Sequence, residues 1–484
     1  MSHPARRRTC APSGAALIGL LATQLVGCMR LPSPASSDGL HTEALLARNT
    51  TQGTEKNSSA AAWPAATWWE QYGSTELNGL VRRALHDAPT LVAAQARVTA
   101  ASAAVDIALA DSRLRVTGDA QLQRQRLSDN GLFPPKLLGF QWYSPSDLGI
   151  TARYDVDPSG RHQAEERLAR AHVVLAEAER AAAELMLSDA IVRHYMTWQI
   201  NHAGYDIAQQ MLASLDREIA IAGARASAEL ARADESVALQ EARHAALERV
   251  GDYEAAMQLN QVAIAALIQV EPGSLPPLTV QSLSVPHSAL PARASLDLMA
   301  RRPDLIAARA RVAASGADTD MARAAYLPDV DLRALLGLSS RDVEHLLQSG
   351  SWSPQFSAAL HLPLFDAGRI RARHASAQAE LQATVADYNE RLLRAAEEIN
   401  VALTEREAAS AQWQLRAEQT GAAATLENLA QKRADAGLSD LRPVLAATRH
   451  WLERQDAQLQ SRRAQWMCEL NLIRALGGGY GTGE

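Results

Sequence analysis

Two similar stretches of sequence stand 214 residues apart, PTLVAAQARV at residues 89–98 and PDLIAARARV at residues 303–312 (303 − 89 = 214). From residue 85 to residue 110, twelve of 26 positions are identical at this offset, including the pair Asp106 and Asp320. Abundant alanine inflates such a count, but proline, arginine, valine and aspartate matching in register indicate an internal repeat. The body of the chain is therefore one structural unit present twice.

The similarity resumes at an offset of 208 and predicts one long helix in each copy. Gly160-Arg161 matches Gly368-Arg369, and Arg225-Ala226 matches Arg433-Ala434 (368 − 160 = 208). No net insertion separates these landmarks, although loops tolerate insertions readily. In the first copy, leucine and alanine recur at alternating steps of three and four, which is a heptad seam for close helix packing. Such a helix is roughly 100 Å long at 1.5 Å per residue.

Each copy also contains strand-like stretches in which apolar residues alternate with polar or small ones. Leu148, Ile150 and Tyr154 do so in the first copy, and residues 330–334 and 356–364 in the second. Alternation gives a sheet one apolar and one polar face. The apolar face would meet a core in a soluble sandwich, or lipid in an outer-membrane barrel whose polar face lines water. The shortage of other sheet to pack against favours the barrel.

Each half is predicted to run helix, strand pair, long helix and return helix. The ranges are 76–112, 114–157, 161–228 and 232–270 in the first half, and 295–325, 327–366, 369–434 and 440–476 in the second. A proline-rich connector covers residues 271–294. Four strands cannot close a barrel, and isolated long helices cannot bury their apolar seams. We therefore expect an oligomer. The predicted fold class is mainly α with a membrane β-barrel portion.

The N-terminus is typical of a bacterial lipoprotein signal. A basic segment, Arg6-Arg7-Arg8, precedes an apolar segment too short to span a bilayer, which ends in Leu25-Val26-Gly27-Cys28. This pattern predicts a signal peptide over 1–27 and acylation of Cys28, for example by palmitate. Met29 after the cysteine favours the outer membrane. The alternative is an ordinary signal peptide that happens to contain Cys28.

The sequence therefore divides into five predicted segments. Residues 1–27 form the signal peptide, 28–60 a lipid-anchored flexible tether, 61–294 the first repeat with its connector, 295–480 the second repeat and 481–484 a tail. Gly477-Gly478-Gly479 is expected to end the last helix and begin a loose tail. Trp63, Trp68 and Trp69 are expected to pack against helices rather than to anchor the chain at a membrane interface.

Composition and motifs argue against nucleic-acid binding and catalysis. The chain has 48 basic and 54 acidic residues, a net charge of −6, whereas nucleic-acid binders are usually basic. It lacks a His-Glu-x-x-His zinc helix and a Gly-x-Ser-x-Gly nucleophile elbow. We therefore expect no enzyme activity, cofactor or metal. With Cys10 removed and Cys28 acylated, Cys468 has no partner for an intrachain disulfide.

Several motifs occur in a characteristic order: Trp68-Trp69-Glu70-Gln71-Tyr72-Gly73, Arg301-Arg302-Pro303-Asp304, Leu364-Phe365-Asp366-Ala367-Gly368-Arg369 and Ala475-Leu476-Gly477-Gly478-Gly479-Tyr480. With these motifs, residues from about 60 to 480 resemble the TolC-like outer-membrane efflux factors, in the lipoprotein branch that serves resistance-nodulation-division pumps. The resemblance implies a homotrimer with four barrel strands per protomer and a barrel of helices across the periplasm. It also implies passive export of drugs and toxic compounds delivered by an inner-membrane pump and a periplasmic adaptor.

The turns that reverse the two long helices are the predicted periplasmic gate and adaptor contact. Threefold symmetry would repeat every tip residue around the mouth, where carboxylates could form acidic rings and links to Arg433. Gly437 can take the left-handed conformation that ends a helix, whereas the first copy has Glu229 there. The candidate residues are Arg225, Glu229, Leu230, Asp234, Arg433, Asp435, Gly437, Leu438, Ser439 and Asp440.

Two alternative functions remain at this stage. A channel of the same architecture could serve another export route, such as type I secretion of proteins, but the lipid anchor and the family branch disfavour it. A structural periplasmic coiled-coil lipoprotein is disfavoured by the alternating strand pairs. The favoured prediction is a lipid-anchored outer-membrane protein that extends into the periplasm.

Overall fold

The computed structural model of the chain describes residues 64–130, 134–229, 233–281, 285 and 301–479. Cys28, Trp63 and Leu230 lie outside the described residues, as does the side chain of Asp234. The chain divides into two compact units. The first holds Asp106–Leu168 and Ser315–Gln382, and the second the described parts of Asp38–Val105, Ala169–Ala314 and Ala383–Glu484. Each unit thus draws on both sequence repeats.

The first unit contains a four-stranded antiparallel sheet. Its strands follow chain order: β1 (Arg115–Leu122), β2 (Ser146–Val156), β3 (Asp329–Ser340) and β4 (Gln355–His361). The two predicted strand pairs therefore exist, and β2 of the first repeat pairs with β3 of the second. The β1–β2 connection adds a short ribbon and a one-turn helix that the sequence pattern did not predict: Gln125–Arg126 with Trp142–Tyr143, and Pro135–Leu138.

A glycine pair lies where the two repeats meet. Gly149 of β2 is in register with Gly337 of β3. A Cβ at position 337 would lie 2.8 Å from the carbonyl oxygen of Leu148 and 3.0 Å from the Cα of Gly149. Because these distances are shorter than real Cβ contacts, a larger residue would push the central strands apart.

Seven longer helices account for most of the remaining residues that the structure describes. They are α1 (Thr75–Asp87), α2 (Pro89–Asp111), α3 (Arg161–Ser227), α4 (Ala233–Leu267), α5 (Pro303–Ala324), α6 (Arg369–Asp435) and α7 (Arg442–Ala475). The long helices α3 and α6 contain 67 residues each, which confirms the prediction from the constant offset.

The predicted helix over 76–112 is wrong as a single element, because it breaks at Ala88. This residue has extended backbone angles, φ −63° and ψ 122°. The ring of Pro89 disfavours a helical conformation in the residue before it, and proline has no N–H to continue the ladder. A new helix, α2, therefore starts at Pro89.

The main hydrophobic core of the second unit includes Trp68 and Trp69. Both indoles are buried and pack in one cluster with Tyr72, Leu77 and Tyr195. This burial confirms that the two tryptophans pack against helices. Tyr195 Oη donates a 2.8 Å hydrogen bond to Glu76, which ties α3 to the start of α1.

The glycine run after α7 ends the helix as predicted, but Gly477–Gly479 are not a loose tail. All three have positive φ, and the Gly478 N–H donates to the carbonyl of Ile473 at 3.0 Å. A Cβ at Gly478 would lie 2.0 Å from Leu185 Cδ1, and one at Gly479 would lie 2.1 Å from the Ala65 carbonyl oxygen. The run is glycine because only glycine fits this packed turn.

Candidate functional site

The sheet has one continuous apolar face. Register places Leu148 opposite Leu338, and Ile150 opposite Leu336. Leu338 is partly buried, but most larger side chains on this face are between 40% and 75% exposed in the chain, among them Leu148, Ile150, Leu332, Leu336, Phe356 and Leu360. A soluble protein rarely exposes so many neighbouring apolar side chains. The face has the composition of a surface that contacts lipid.

The opposite face carries charges in rows across the strands. Arg115, Arg153 and Arg333 form one row, and Asp155 and Asp331 form the next. Like charges directly opposite each other repel. Ion pairs between the rows offset this repulsion, since Arg115 lies 2.8 Å from Asp155 and Arg153 lies 2.6 Å from Asp331. Such a face requires water.

The alternation in the sequence identified the polar face, but these charged rows were missed as functional residues. Each charged residue occupies a position between two apolar ones, which was the available signal. Which of them become cross-strand neighbours depends on the pairing of β2 with β3. That pairing joins the two repeats, so the sequence of one repeat alone does not predict it.

The helix α2 differs from its repeat counterpart α5 in burial. Ala310, Val312 and Ala314 of α5 are buried. Of their counterparts in α2 at the offset of 214, Ala96 and Ala100 are exposed and Val98 is partly buried. Of the described helices, only α2 is long and apolar enough to cross a membrane, and alanine supplies nine of its 23 residues.

The second helix tip closes with a Schellman motif. Gly437 has φ 70°, its N–H donates to the carbonyl of Ala434, and the Leu438 N–H donates to that of Arg433. These two bonds satisfy carbonyls that the helix end leaves free. The Leu438 side chain is 79% exposed at the turn.

The first tip takes the same left-handed turn with a less suitable residue. Glu229 has φ 54°, and its N–H donates to the carbonyl of Ala226 at 3.0 Å. Glu229 is the counterpart of Gly437 at the offset of 208 (437 − 208 = 229). A residue with a side chain costs roughly 1–2 kcal/mol in this conformation, whereas glycine does not. The first tip therefore carries backbone strain that the second tip avoids.

Charges from both tips converge on Asp440. Its carboxylate accepts hydrogen bonds from the Arg442 guanidinium at 2.7 and 2.9 Å. Arg442, foremost through these bonds, and then Arg225 of the first tip hold the pKa of Asp440 below its usual value. Arg442 was missed from the sequence, although a cation two residues after an acid was a visible signal.

The other predicted tip residues have local contacts. Asp435 accepts a 2.7 Å hydrogen bond from Gln431 in its own helix. Within the described chain, Arg433 is bonded to neither Asp435 nor Asp440, so its predicted links remain a hypothesis about the assembly. Ser439 Oγ is buried without a hydrogen-bond partner there.

A buried arginine fastens the start of α5. Arg302 donates to Asp304 at 2.7 Å, to Glu398 of α6 at 2.8 Å and to the Ala475 carbonyl at 3.1 Å. Burial opposes its charge, but the two carboxylates outweigh burial and raise the pKa of Arg302. Burial likewise works against the charge of Asp304, yet Arg302 holds the pKa of that carboxyl below its usual value.

Comparison with known proteins places this architecture. The sequence model of the family described as outer membrane efflux protein matches residues 80–268 and 296–478. The chain is 28% identical over 435 residues to the multidrug resistance outer membrane protein MdtP of Escherichia coli K12, covering 88% of each protein.

Solved structures show the same fold. The outer membrane protein VceC of Vibrio cholerae is 27% identical, with a TM-score of 0.76 over 87% of this chain and 100% of that chain. The CmeC outer membrane channel of Campylobacter jejuni is 18% identical, with a TM-score of 0.79 over 94% of this chain and 95% of that chain.

Proposed function

This chain belongs to the outer membrane efflux protein family, and we propose that its homotrimer is the outer-membrane channel of a tripartite efflux system. Its cargo would be drugs and other small toxic molecules, as the name of the relative MdtP suggests. The two-faced sheet carries the proposal, since it separates an exposed apolar surface from a charged one. Such a wall divides lipid from water, which is what a passive conduit needs.

The lengths of the two central strands suit a bilayer. The central strands β2 and β3 contain 11 and 12 residues. A tilted transmembrane strand needs about 9–11 residues to cross the hydrocarbon core. The two central strands are therefore long enough to cross, and their charged rows would line the water-filled lumen.

Two observations support assembly with further copies. Within the described chain, β1 and β4 each pair along one edge only, and an open edge in lipid leaves backbone groups unsatisfied. The face of α2 that is exposed here corresponds to a face of α5 that is buried within the chain. A neighbouring copy that covered α2 and extended the sheet would satisfy both elements.

The remaining parts of the proposal concern anchoring and delivery. Acylated Cys28 would hold the N-terminus in the outer membrane through the tether of residues 28–60. A passive channel has no energy source, so an inner-membrane pump and a periplasmic adaptor would deliver the cargo. The exposed tip around Leu438 offers the adaptor a small apolar contact.

Charges at the tips would hold the resting channel closed. Asp440, Arg442 and Arg225 already converge within one chain, and a trimer would gather three such sets at the mouth. Exposed ion pairs contribute at most about 1 kcal/mol each, so an adaptor can compete with them. We expect R433A/D440A to raise single-channel conductance. The control E390Q/R394A also removes one carboxylate and one cation, but from the middle of α6, and should leave the conductance unchanged. Wild-type conductance in a correctly assembled R433A/D440A trimer would refute the charge gate.

The function is tested with the purified mature chain in planar bilayers and with a deletion strain. We expect ion conductance, and increased drug susceptibility that the wild-type gene reverses. A folded trimer that does not conduct would overturn the proposal. Lost protein secretion with unchanged susceptibility would instead assign the channel to a secretion route.

A further inference from the structure

Two large apolar side chains project from the turn between β4 and α6. Leu364 is 81% exposed and Phe365 is 90% exposed. The turn behind them is ordered by Asp366, which accepts hydrogen bonds from the Gly368 N–H at 3.0 Å and the Ile370 N–H at 2.6 Å. A fixed turn therefore holds the apolar pair outward.

Three arginines follow directly on the first turns of α6. They are Arg369, Arg371 and Arg373, all exposed, and no acidic residue occurs between 367 and 379. Arg369 and Arg373 are four residues apart, so they share one side of the helix and repel each other. In the part of the chain that is described, neither Arg371 nor Arg373 has a carboxylate within ion-pair distance.

The first repeat resolves the same position differently. The counterpart of Arg373 is Glu165 (373 − 208 = 165), and Glu165 pairs with Arg161 at 3.6 Å and His162 at 3.1 Å. The second repeat has reversed this charge. The positive end of the helix dipole also repels cationic side chains at a helix N-terminus. Within the described chain, the second junction therefore has three arginines and one nearby carboxylate, that of Asp366, so positive charge is in excess there.

We propose that Leu364, Phe365, Arg369 and Arg373 form a docking surface for an anionic phospholipid in the membrane leaflet nearer the helices. The inference rests on the proposed function, because it requires lipid around the sheet. The surface follows β4 directly in the chain, and Phe356 and Leu360 are exposed on the apolar face of that strand. Leu364 and Phe365 would enter the acyl region, and the arginines would reach the phosphates.

The test uses the purified mature trimer in a neutral detergent, titrated with phosphatidylglycerol or phosphatidylcholine. Bound lipid is counted by native mass spectrometry, and the unfolding temperature is followed in parallel. We expect phosphatidylglycerol to bind preferentially and to raise the unfolding temperature. Each arginine near an anionic surface is worth roughly a fivefold change in affinity, so R369Q/R373Q should bind about 30-fold more weakly.

Two further variants separate lipid binding from a structural role. R373E recreates the pairing of the first repeat, so it should lose the phosphatidylglycerol preference while α6 stays at least as stable. R391Q/R416Q removes two arginines from the same helix farther along and should keep the preference.

Three results would overturn the proposal. The first is unchanged phosphatidylglycerol binding by R369Q/R373Q. The second is equal stabilisation by inorganic phosphate, which would indicate a simple anion site. The third is loss of the trimer in L364S/F365S, which would assign the apolar pair to contact with a second copy. Conductance is measured in a separate experiment. A wild-type trimer that does not conduct would refute the proposed channel function, whereas the lipid titration tests the docking surface.

Discussion

A charged residue at Ile150 should distinguish a lipid-facing strand from a solvated one. Ile150 is the fifth of 11 residues in β2 and lies on the apolar face opposite Leu336. Ten steps of about 3.3 Å, tilted by about 40°, span roughly 25 Å, the height of the apolar band of a membrane barrel. Ile150 would then lie within about 3 Å of the midplane, where an arginine costs roughly 2–4 kcal/mol.

Thr151 is the matched control on the other face. Its hydroxyl donates a 3.0 Å hydrogen bond to Asp119, so an arginine there meets a carboxylate and water. We expect I150R to lower the folded-to-unfolded ratio about 30- to 900-fold, and T151R to cost less than about 1 kcal/mol. Urea titration of folding into lipid vesicles, read by heat-modifiable gel migration, measures both. Equal costs for I150R and T151R would refute the membrane sheet.

Three further predictions concern the tips, the Arg302 cluster and the assembly. E229G should stabilise the first tip by about 1 kcal/mol, and G437A should destabilise the second tip by a similar amount. Amide hydrogen exchange in each tip measures both changes. Unchanged exchange in either variant would contradict the shared left-handed turn. R302M should cost about 1.5–3 kcal/mol in chemical unfolding, since it removes charged hydrogen bonds to Asp304 and Glu398. Because the pKa of Asp304 is lowered in the fold, its stabilisation is present above about pH 3.9 and is lost as the pH falls through the folded value; D304N should lack this component of acid sensitivity. A96E on α2 should abolish trimers in size-exclusion chromatography while helix content persists, and an intact trimer would show that no copy covers this face.

Much of the fold was predictable because the repeat tests each pattern twice. The bounds of α3 and α6 fall within one residue of those expected from the constant offset. The break before Pro89 was missed because apolar periodicity continues through it, although the restriction that proline places on Ala88 was available. The β1–β2 ribbon was missed because two-residue strands carry no periodicity.

The site was less predictable than the fold because it depends on register and pairing. The sequence placed Asp440 and Arg225 at two tips, but only the packing of the two hairpins brings their charges together. The expected loose tail at Gly477–Gly479 failed for a related reason. A run of three glycines can indicate a flexible segment or a site with no room for a side chain. Only the close approach of Leu185 and Ala65 in the structure shows that the second applies.

The equal length of α3 and α6 limits how this protein can change by insertion and deletion. Both helices contain 67 residues and end in the same left-handed turn. Loss of one heptad from α3 alone would draw its tip back by about 10 Å and leave the other tip behind. Viable length variants among relatives should therefore alter both long helices, and both return helices, by the same number of residues. The length of the helical part of the channel can therefore change only when both hairpins change together.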